Sequence, residues 1–184
     1  MAVTLKQTET EPASWPYIGG PFSEGAWKVP KAAVWQRIEA WTSRRWGQRA
    51  VVWIVEGPGE WEPPLTPATV STVERWDGAA WVTDTADPSP LGGYDLPSEG
   101  PWRFTGTVGD DTVAPAVAEA FRRLTEYVSD SITPSLHHGR SGARSTSYTI
   151  DGLTVMFSRD PAWMAKAMAN SGAGDLLRPY RKVR

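Results

Sequence analysis

The chain has 184 residues, a formal net charge of −2, eleven tryptophans and no cysteine. Its length predicts one domain, the lack of cysteine excludes disulfides and cysteine-ligated zinc, and the near-neutral charge argues against a general nucleic-acid binder. No apolar run approaches the roughly 18 residues that cross a bilayer, and the N-terminal residues lack a signal-peptide pattern. We therefore expect a protein of the cytoplasm, or of an assembly made there, without membrane contact.

Residues 1–29 are predicted to form an extended arm. Pro12, Pro16 and Pro21 interrupt this segment, which argues against a regular helix or strand. Its aromatic residues indicate that the arm packs on something, either its own domain or a neighbouring subunit. Both alternatives stay open at this point.

A first helix is predicted over residues 30–46. Proline is tolerated at the first helical position and glycine favours a helix stop, which matches Pro30 and Gly47. One stripe of this helix carries Val34, Ile38, Trp41 and Arg45. We expect this stripe to pack against the longer helix that follows the strands.

Residues 48–109 are predicted to form a small antiparallel β region inserted between two helices. The run 50–55 is continuously apolar and rich in β-branched residues, which indicates a strand buried on both faces. The other strands are predicted in two pairs, 70–76 with 80–83 around an Asp77-Gly78 turn, and 94–96 with 102–105.

The central packing helix is predicted over residues 112–129. Its apolar residues recur every three or four positions and share one face, at Val113, Val117, Phe121, Leu124 and Val128. Thr112 is expected to cap the first turn. Two ion pairs at a spacing of four are expected on the outer faces, Glu119 with Arg123 and Arg122 with Glu126.

After this helix, a hairpin is predicted from strands 147–150 and 153–157, and a short helix opens at Asp160. Residues 171–184 are predicted to form an extended C-terminal tail. The last seven residues carry four cations and no anion, and Leu176 and Leu177 precede them. Because tyrosine and arginine are typical hot-spot residues of interfaces, this composition favours docking on a partner over a solvated end.

This order of elements predicts an α+β fold. We expect a small helical bundle with a long central helix, an inserted antiparallel β region at about 48–109, and an extended C-terminal tail. The predicted organisation is an arm at 1–29, a single domain at 30–170 and a docking tail at 171–184.

No group of residues predicts catalysis, a cofactor or a metal. His137 and His138 are the only histidines, and adjacent side chains rarely face the same way. The serines lack a Gly-x-Ser-x-Gly setting, and the glycine pairs lack the other residues of a phosphate-binding loop. We therefore do not expect an enzyme.

A carbohydrate-binding module is the alternative from a different class. Tryptophans form flat platforms for sugar rings, and the candidates for such a platform in the β region are Trp61, Trp76, Trp81 and Trp102. An insertion between helices and a cationic end are atypical of such a module.

Several stretches, taken in order, resemble a known family. They are residues 39–46 (EAWTSRRW), 73–81 (VERWDGAAW), 94–96 (YDL), 101–105 (PWRFT), 117–127 (VAEAFRRLTEY), 147–157 (SYTIDGLTVMF) and 171–182 (SGAGDLLRPYRK). Together they are similar to the head–tail connector, or adaptor, proteins of long-tailed phages and gene transfer agents. The likeness covers about residues 30–184.

The resemblance implies a structural protein of the virion neck, assembled in the host cytoplasm. Such adaptors form a dodecameric ring beneath the portal protein, give the stopper and tail proteins a surface to join, and let packaged DNA pass through the lumen without specific binding. Their C-terminal segment typically reaches into the portal. By this resemblance the portal-docking residues are Leu176, Leu177, Arg178, Pro179, Tyr180 and Arg181. A stopper is a related alternative in the same neck.

Overall fold

The computed structural model describes residues 2–132, 141–147 and 156–182. These residues form two compact units. The sheet unit contains residues 2–16 and 43–112, and the helical unit contains residues 17–42 and the described residues from 113 onward. None of the described helices combines the length and the apolar character that crossing a membrane requires.

The sheet unit is built from eight strands. In chain order they are β1 (Val3–Glu9), β2 (Arg49–Glu56), β3 (Gly59–Trp61), β4 (Ala68–Trp76), β5 (Trp81–Thr83), β6 (Asp87–Pro88), β7 (Tyr94–Leu96) and β8 (Pro101–Val108). One sheet has the order β1-β2-β8-β4-β5 and a second has the order β3-β7-β6. All neighbouring strands in both sheets are antiparallel.

One face of the five-stranded sheet carries the core of this unit. Along β2, Val51, Trp53 and Val55 are buried and alternate with more exposed residues. The expectation of a strand buried on both faces is therefore wrong, because an antiparallel sheet commonly covers one face only. The buried cluster consists of Ala2, Val51, Trp53, Val55, Trp61, Leu65, Leu96, Trp102, Phe104 and Val108.

The β4–β5 hairpin is confirmed, and its turn has a clear local cause. The Asp77 carboxylate accepts hydrogen bonds from the backbone N–H groups of Ala79 and Ala80, each at 2.8 Å. The predicted pairing of 94–96 with 102–105 is wrong. β7 pairs with β3 and β6, whereas β8 lies between β2 and β4.

The helical unit contains five helices and one pair of strands in its described part. The helices are α1 (Glu24–Trp27), α2 (Lys31–Thr42), α3 (Pro115–Ile132), α4 (Ala167–Asn170) and α5 (Ala173–Leu177), followed by a 3₁₀ turn over Arg178–Tyr180. Strands β9 (Ala143–Ser147) and β10 (Met156–Arg159) pair antiparallel. The predicted turn at Asp151-Gly152 lies outside the described residues.

The apolar face of α3 forms the centre of this unit, as the 3.6-residue period predicts. Val117, Phe121 and Leu124 are buried, and the Phe121 ring packs against Trp35 of α2 with centroids 4.8 Å apart. Thr125 is also fully buried, and its hydroxyl is satisfied there by donating to the Phe121 carbonyl at 2.7 Å.

Both long helices have ends that differ from those predicted. α2 stops at Thr42 because Ser43 adopts a left-handed backbone with φ of 60°. α3 begins at Pro115. The carbonyl of the preceding residue, Ala114, accepts hydrogen bonds from the N–H groups of Val117 and Ala118. Thr112 is therefore not its cap.

The predicted fold class, an α+β helical bundle with an inserted β region, is wrong. About 32% of the described residues are in strands and 28% in helices, and the strands form three antiparallel sheets. The arm was expected to lack regular structure, yet residues 3–9 form the edge strand β1 and residues 24–27 form α1. The extended tail is also wrong, since residues 173–180 are helical. The cause is the same in each case: local signals such as proline do not report which distant strand or helix a segment contacts.

Candidate docking segment

The docking segment, defined as Leu176–Arg181, begins inside α5 and continues through the 3₁₀ turn. Leu177 is fully buried, as is Ala173 one turn earlier. Burying a leucine side chain contributes roughly 1.5–3 kcal/mol. Leu177 therefore anchors the start of the segment within the helical unit.

The residues beyond Leu177 are more accessible. Arg178, Pro179 and Arg181 are exposed, while Leu176 and Tyr180 are half-buried. Arg178 makes only a loose ion pair with Asp175, at 3.3 Å and with both side chains about four-fifths exposed. A partner can therefore reach the guanidinium groups and the proline ring without moving the core.

Arg181 and the next residue, Lys182, contact the end of α2. The backbone N–H of Lys182 donates to the carbonyl oxygen of Thr42 at 2.9 Å. The guanidinium of Arg181 lies over the indole of Trp41, 5.2 Å from the ring centroid. The stripe that includes Trp41 was predicted to pack against the longer helix; Trp41 is 39% exposed, and its indole contacts this segment. The sequence feature that could have indicated this contact is the position of Trp41 in the last turn of α2.

The outer face of α3 carries one of the two predicted ion pairs. Arg123 donates to Glu119 at 2.8 Å, as predicted. Arg122 also pairs with Glu119, at 3.1 Å, because Glu126 accepts hydrogen bonds from the backbone and the hydroxyl of Ser23. The hydrogen bond from Arg123 is the main cause of a lowered pKa at Glu119.

The four tryptophans considered for sugar binding do not form a common platform. Trp61 and Trp102 are buried in the core of the sheet unit. Trp76 and Trp81 are half-buried and pack edge to face, with ring centroids 5.4 Å apart and an interplanar angle of 64°. The guanidinium of Arg103 lies over Trp81 at 4.7 Å. These contacts favour a structural role for the Trp76–Trp81 pair.

Within the described residues, no cluster of three or more histidine, aspartate or glutamate side chains could hold a metal ion. His137 and His138 lie outside those residues. An open cleft of about 910 Å³ in the helical unit is lined by Tyr127, Asp160, Lys166 and Asn170, among others. Two of its charged groups form an ion pair, Lys166 with Asp160 at 2.8 Å, and this pairing is the main cause of a lowered pKa at Asp160.

Fold and site together define a protein with a sheet unit and a helical unit, whose candidate site is an exposed cationic segment. No protein family and no curated protein matches the chain. Among solved structures, it is similar to a chain in the neck of an empty gene transfer agent (GTA) particle, computed with C6 symmetry. The TM-score is 0.50 at 18% identity, covering 84% of this chain and 76% of that one.

Two further solved chains have comparable similarity. One comes from the neck of a native GTA particle computed with C12 symmetry, with a TM-score of 0.49 and 17% identity, covering 84% of this chain and 80% of that one. The other comes from the virion of a native GTA particle, with a TM-score of 0.47 and 18% identity, covering 84% of this chain and 75% of that one. The likeness to the first chain shows a shared fold. The resemblance to neck and connector proteins drawn from the sequence is therefore confirmed at the level of the fold.

Proposed function

We propose that this chain is a structural head–tail connector, or adaptor, of a tailed phage or phage-like particle, and not an enzyme. It forms a homo-oligomeric ring in the virion neck, under the portal, and joins the capsid to stopper or tail proteins. The observation that carries the proposal is the fold shared with a chain of a GTA neck over 84% of this sequence.

The docking segment is the part of the chain proposed to bind the portal. Arg178, Pro179 and Arg181 are exposed beyond a buried anchor at Leu177, so the segment presents cations on a fixed base. Arginine and tyrosine supply much of the binding energy in protein interfaces. The portal surface that receives them is expected to offer carboxylates and an apolar cleft.

The proposed ring leaves DNA free to pass. A protein that neutralises many phosphates binds DNA tightly through the release of counterions. The formal net charge of −2 supports a conduit that does not grip DNA.

The proposal is tested by measuring binding to the portal protein of the same particle. A chain that stops after Leu177 keeps the buried anchor and loses most of the docking segment. We expect it to unfold at nearly the same temperature as the full chain and to bind the portal at least about tenfold more weakly, as for the loss of interface hot spots. A chain that stops after Lys182 is the matched control and should bind fully. Full affinity in the chain that stops after Leu177 would refute the docking role.

A further inference from the structure

We infer that Trp41 and Thr42 form a latch that parks the docking segment on its own subunit, so that portal binding competes with an internal contact. The latch joins these two residues to Arg181 and Lys182. The competition rests on the proposed function, whereas the latch itself is a property of the isolated chain.

The path of the chain after Leu177 returns the segment to α2. Residues Arg178–Tyr180 make one 3₁₀ turn, closed by a hydrogen bond from the Arg181 N–H to the Arg178 carbonyl at 3.2 Å. The next N–H, that of Lys182, donates to Thr42 at 2.9 Å. The last four carbonyls of a helix have no intrahelical donor, so this hydrogen bond satisfies a group that the end of α2 leaves open.

The indole of Trp41 forms the second half of the latch. One edge of the ring packs against α5 at Gly174, where an added β-carbon would lie 3.4 Å from the indole. The guanidinium of Arg181 lies over the ring at 5.2 Å. A large aromatic side chain that is 39% exposed is therefore held in place by contacts with α5 and the docking segment.

These contacts are weak enough for a partner to displace. An exposed cation–π contact shifts an equilibrium about two- to fivefold, and a typical hydrogen bond about two- to tenfold. Leu177 is buried and stays anchored when these two contacts break, so among the described residues the release involves 178–182. These contacts favour the parked form, but by less free energy than a specific protein interface can supply.

Arg181 makes the parked and docked forms mutually exclusive. Its guanidinium is one of the cations proposed to meet the portal, and in the parked form it lies on Trp41. One guanidinium cannot stack on this indole and extend into a cleft of another protein at the same time. A portal must therefore pull Arg181 from Trp41 before the segment is fully engaged.

The latch is tested on the isolated chain by hydrogen exchange at the backbone amide of Lys182, whose N–H donates a hydrogen bond to the Thr42 carbonyl. We expect Trp41→Ala and Arg181→Ala each to raise the exchange rate of this amide about two- to fivefold. Arg178→Ala removes the same charge without touching Trp41 and should leave the rate unchanged. Trp27→Ala, which removes another exposed tryptophan of the same unit, should also leave it unchanged.

Unchanged exchange at Lys182 in both Trp41→Ala and Arg181→Ala would overturn the latch. Thermal unfolding of each variant shows whether it folds. If Trp41→Ala does not fold, Arg181→Ala decides the question alone, because the exposed arginine lies outside the core.

The competition is tested by binding to the portal. Trp41→Ala is expected to bind about two- to fivefold more tightly than the unmodified chain, because the parked form loses its cation–π contact and competes less. Equal affinity, combined with faster exchange at Lys182, would overturn the competition. If no chain binds the portal but Lys182 exchange responds as expected, the proposed function fails and the latch stands.

Discussion

Phe121 shows how a single residue connects the helical period to the core. Its ring is 2% exposed and packs on Trp35 at 4.8 Å. The sequence placed Phe121 on the apolar face of the central helix, and the structure confirms that position. The partner ring on α2 was not predicted, because Trp35 lies outside the predicted stripe of Val34, Ile38, Trp41 and Arg45.

Phe121→Asp is expected to lower the free energy of unfolding by about 4 kcal/mol, because it places an unpaired charge in the core. Urea denaturation at neutral pH measures the change. Phe121→Leu, which keeps an apolar side chain, is the control and should cost much less. If the free energy of unfolding of Phe121→Asp fell by less than about 1 kcal/mol, the assignment of Phe121 to the core would be wrong.

At the scale of elements, β1 is tied to the segment after α2 by a bidentate ion pair. The guanidinium of Arg45 donates to both carboxylate oxygens of Glu9, each at 2.8 Å, and both side chains are mostly buried. This hydrogen bonding is the main cause of a lowered pKa at Glu9 in the folded chain. The sequence did not predict this link, since Glu9 was assigned to an arm and Arg45 to a helix.

The lowered pKa of Glu9 predicts a contribution to stability that depends on pH. A carboxyl whose pKa is lowered by folding stabilises the chain above its ordinary pKa, and this contribution is lost as the pH falls toward the folded-state value. Glu9→Gln is therefore expected to cost about 1 kcal/mol at neutral pH and to weaken the loss of stability on acidification.

Urea denaturation at a series of pH values from 7 downward measures this effect. Glu24→Gln is the matched control, because Glu24 pairs with Lys28 through a side chain that is 89% exposed. Exposed ion pairs contribute little, so this variant should match the unmodified chain. A pH profile of Glu9→Gln that coincides with that of the unmodified chain would contradict the prediction.

At the scale of the whole molecule, the proposed ring predicts how many copies of the chain assemble together. We expect the chain mixed with portal to assemble into a dodecameric ring, measured by native mass spectrometry of the purified complex. Heterologous contacts whose rotation closes form a ring of defined copy number, so one stoichiometry should dominate if the chain forms a ring. A single copy bound per portal subunit without contact between copies, shown by independent binding at low occupancy, would contradict the ring.

The sequence by itself determined the features that depend on near neighbours. The period of the apolar residues predicted α3, and Asp77 and Gly78 predicted a hairpin that the carboxylate of Asp77 closes. The ion pair of Glu119 with Arg123 followed from a spacing of four on a helix. Each of these features is decided within a few residues, so the local order of the chain contains the information.

Only the tertiary structure decided which distant segments meet. β8 lies between β2 and β4, and residues 3–9 complete the edge of the same sheet, although loops and other strands separate them in sequence. The contact of Trp41 with Arg181 likewise joins two residues of the helical unit that are far apart in the sequence. Such contacts depend on complementary surfaces that fold together, and no spacing in the sequence encodes them.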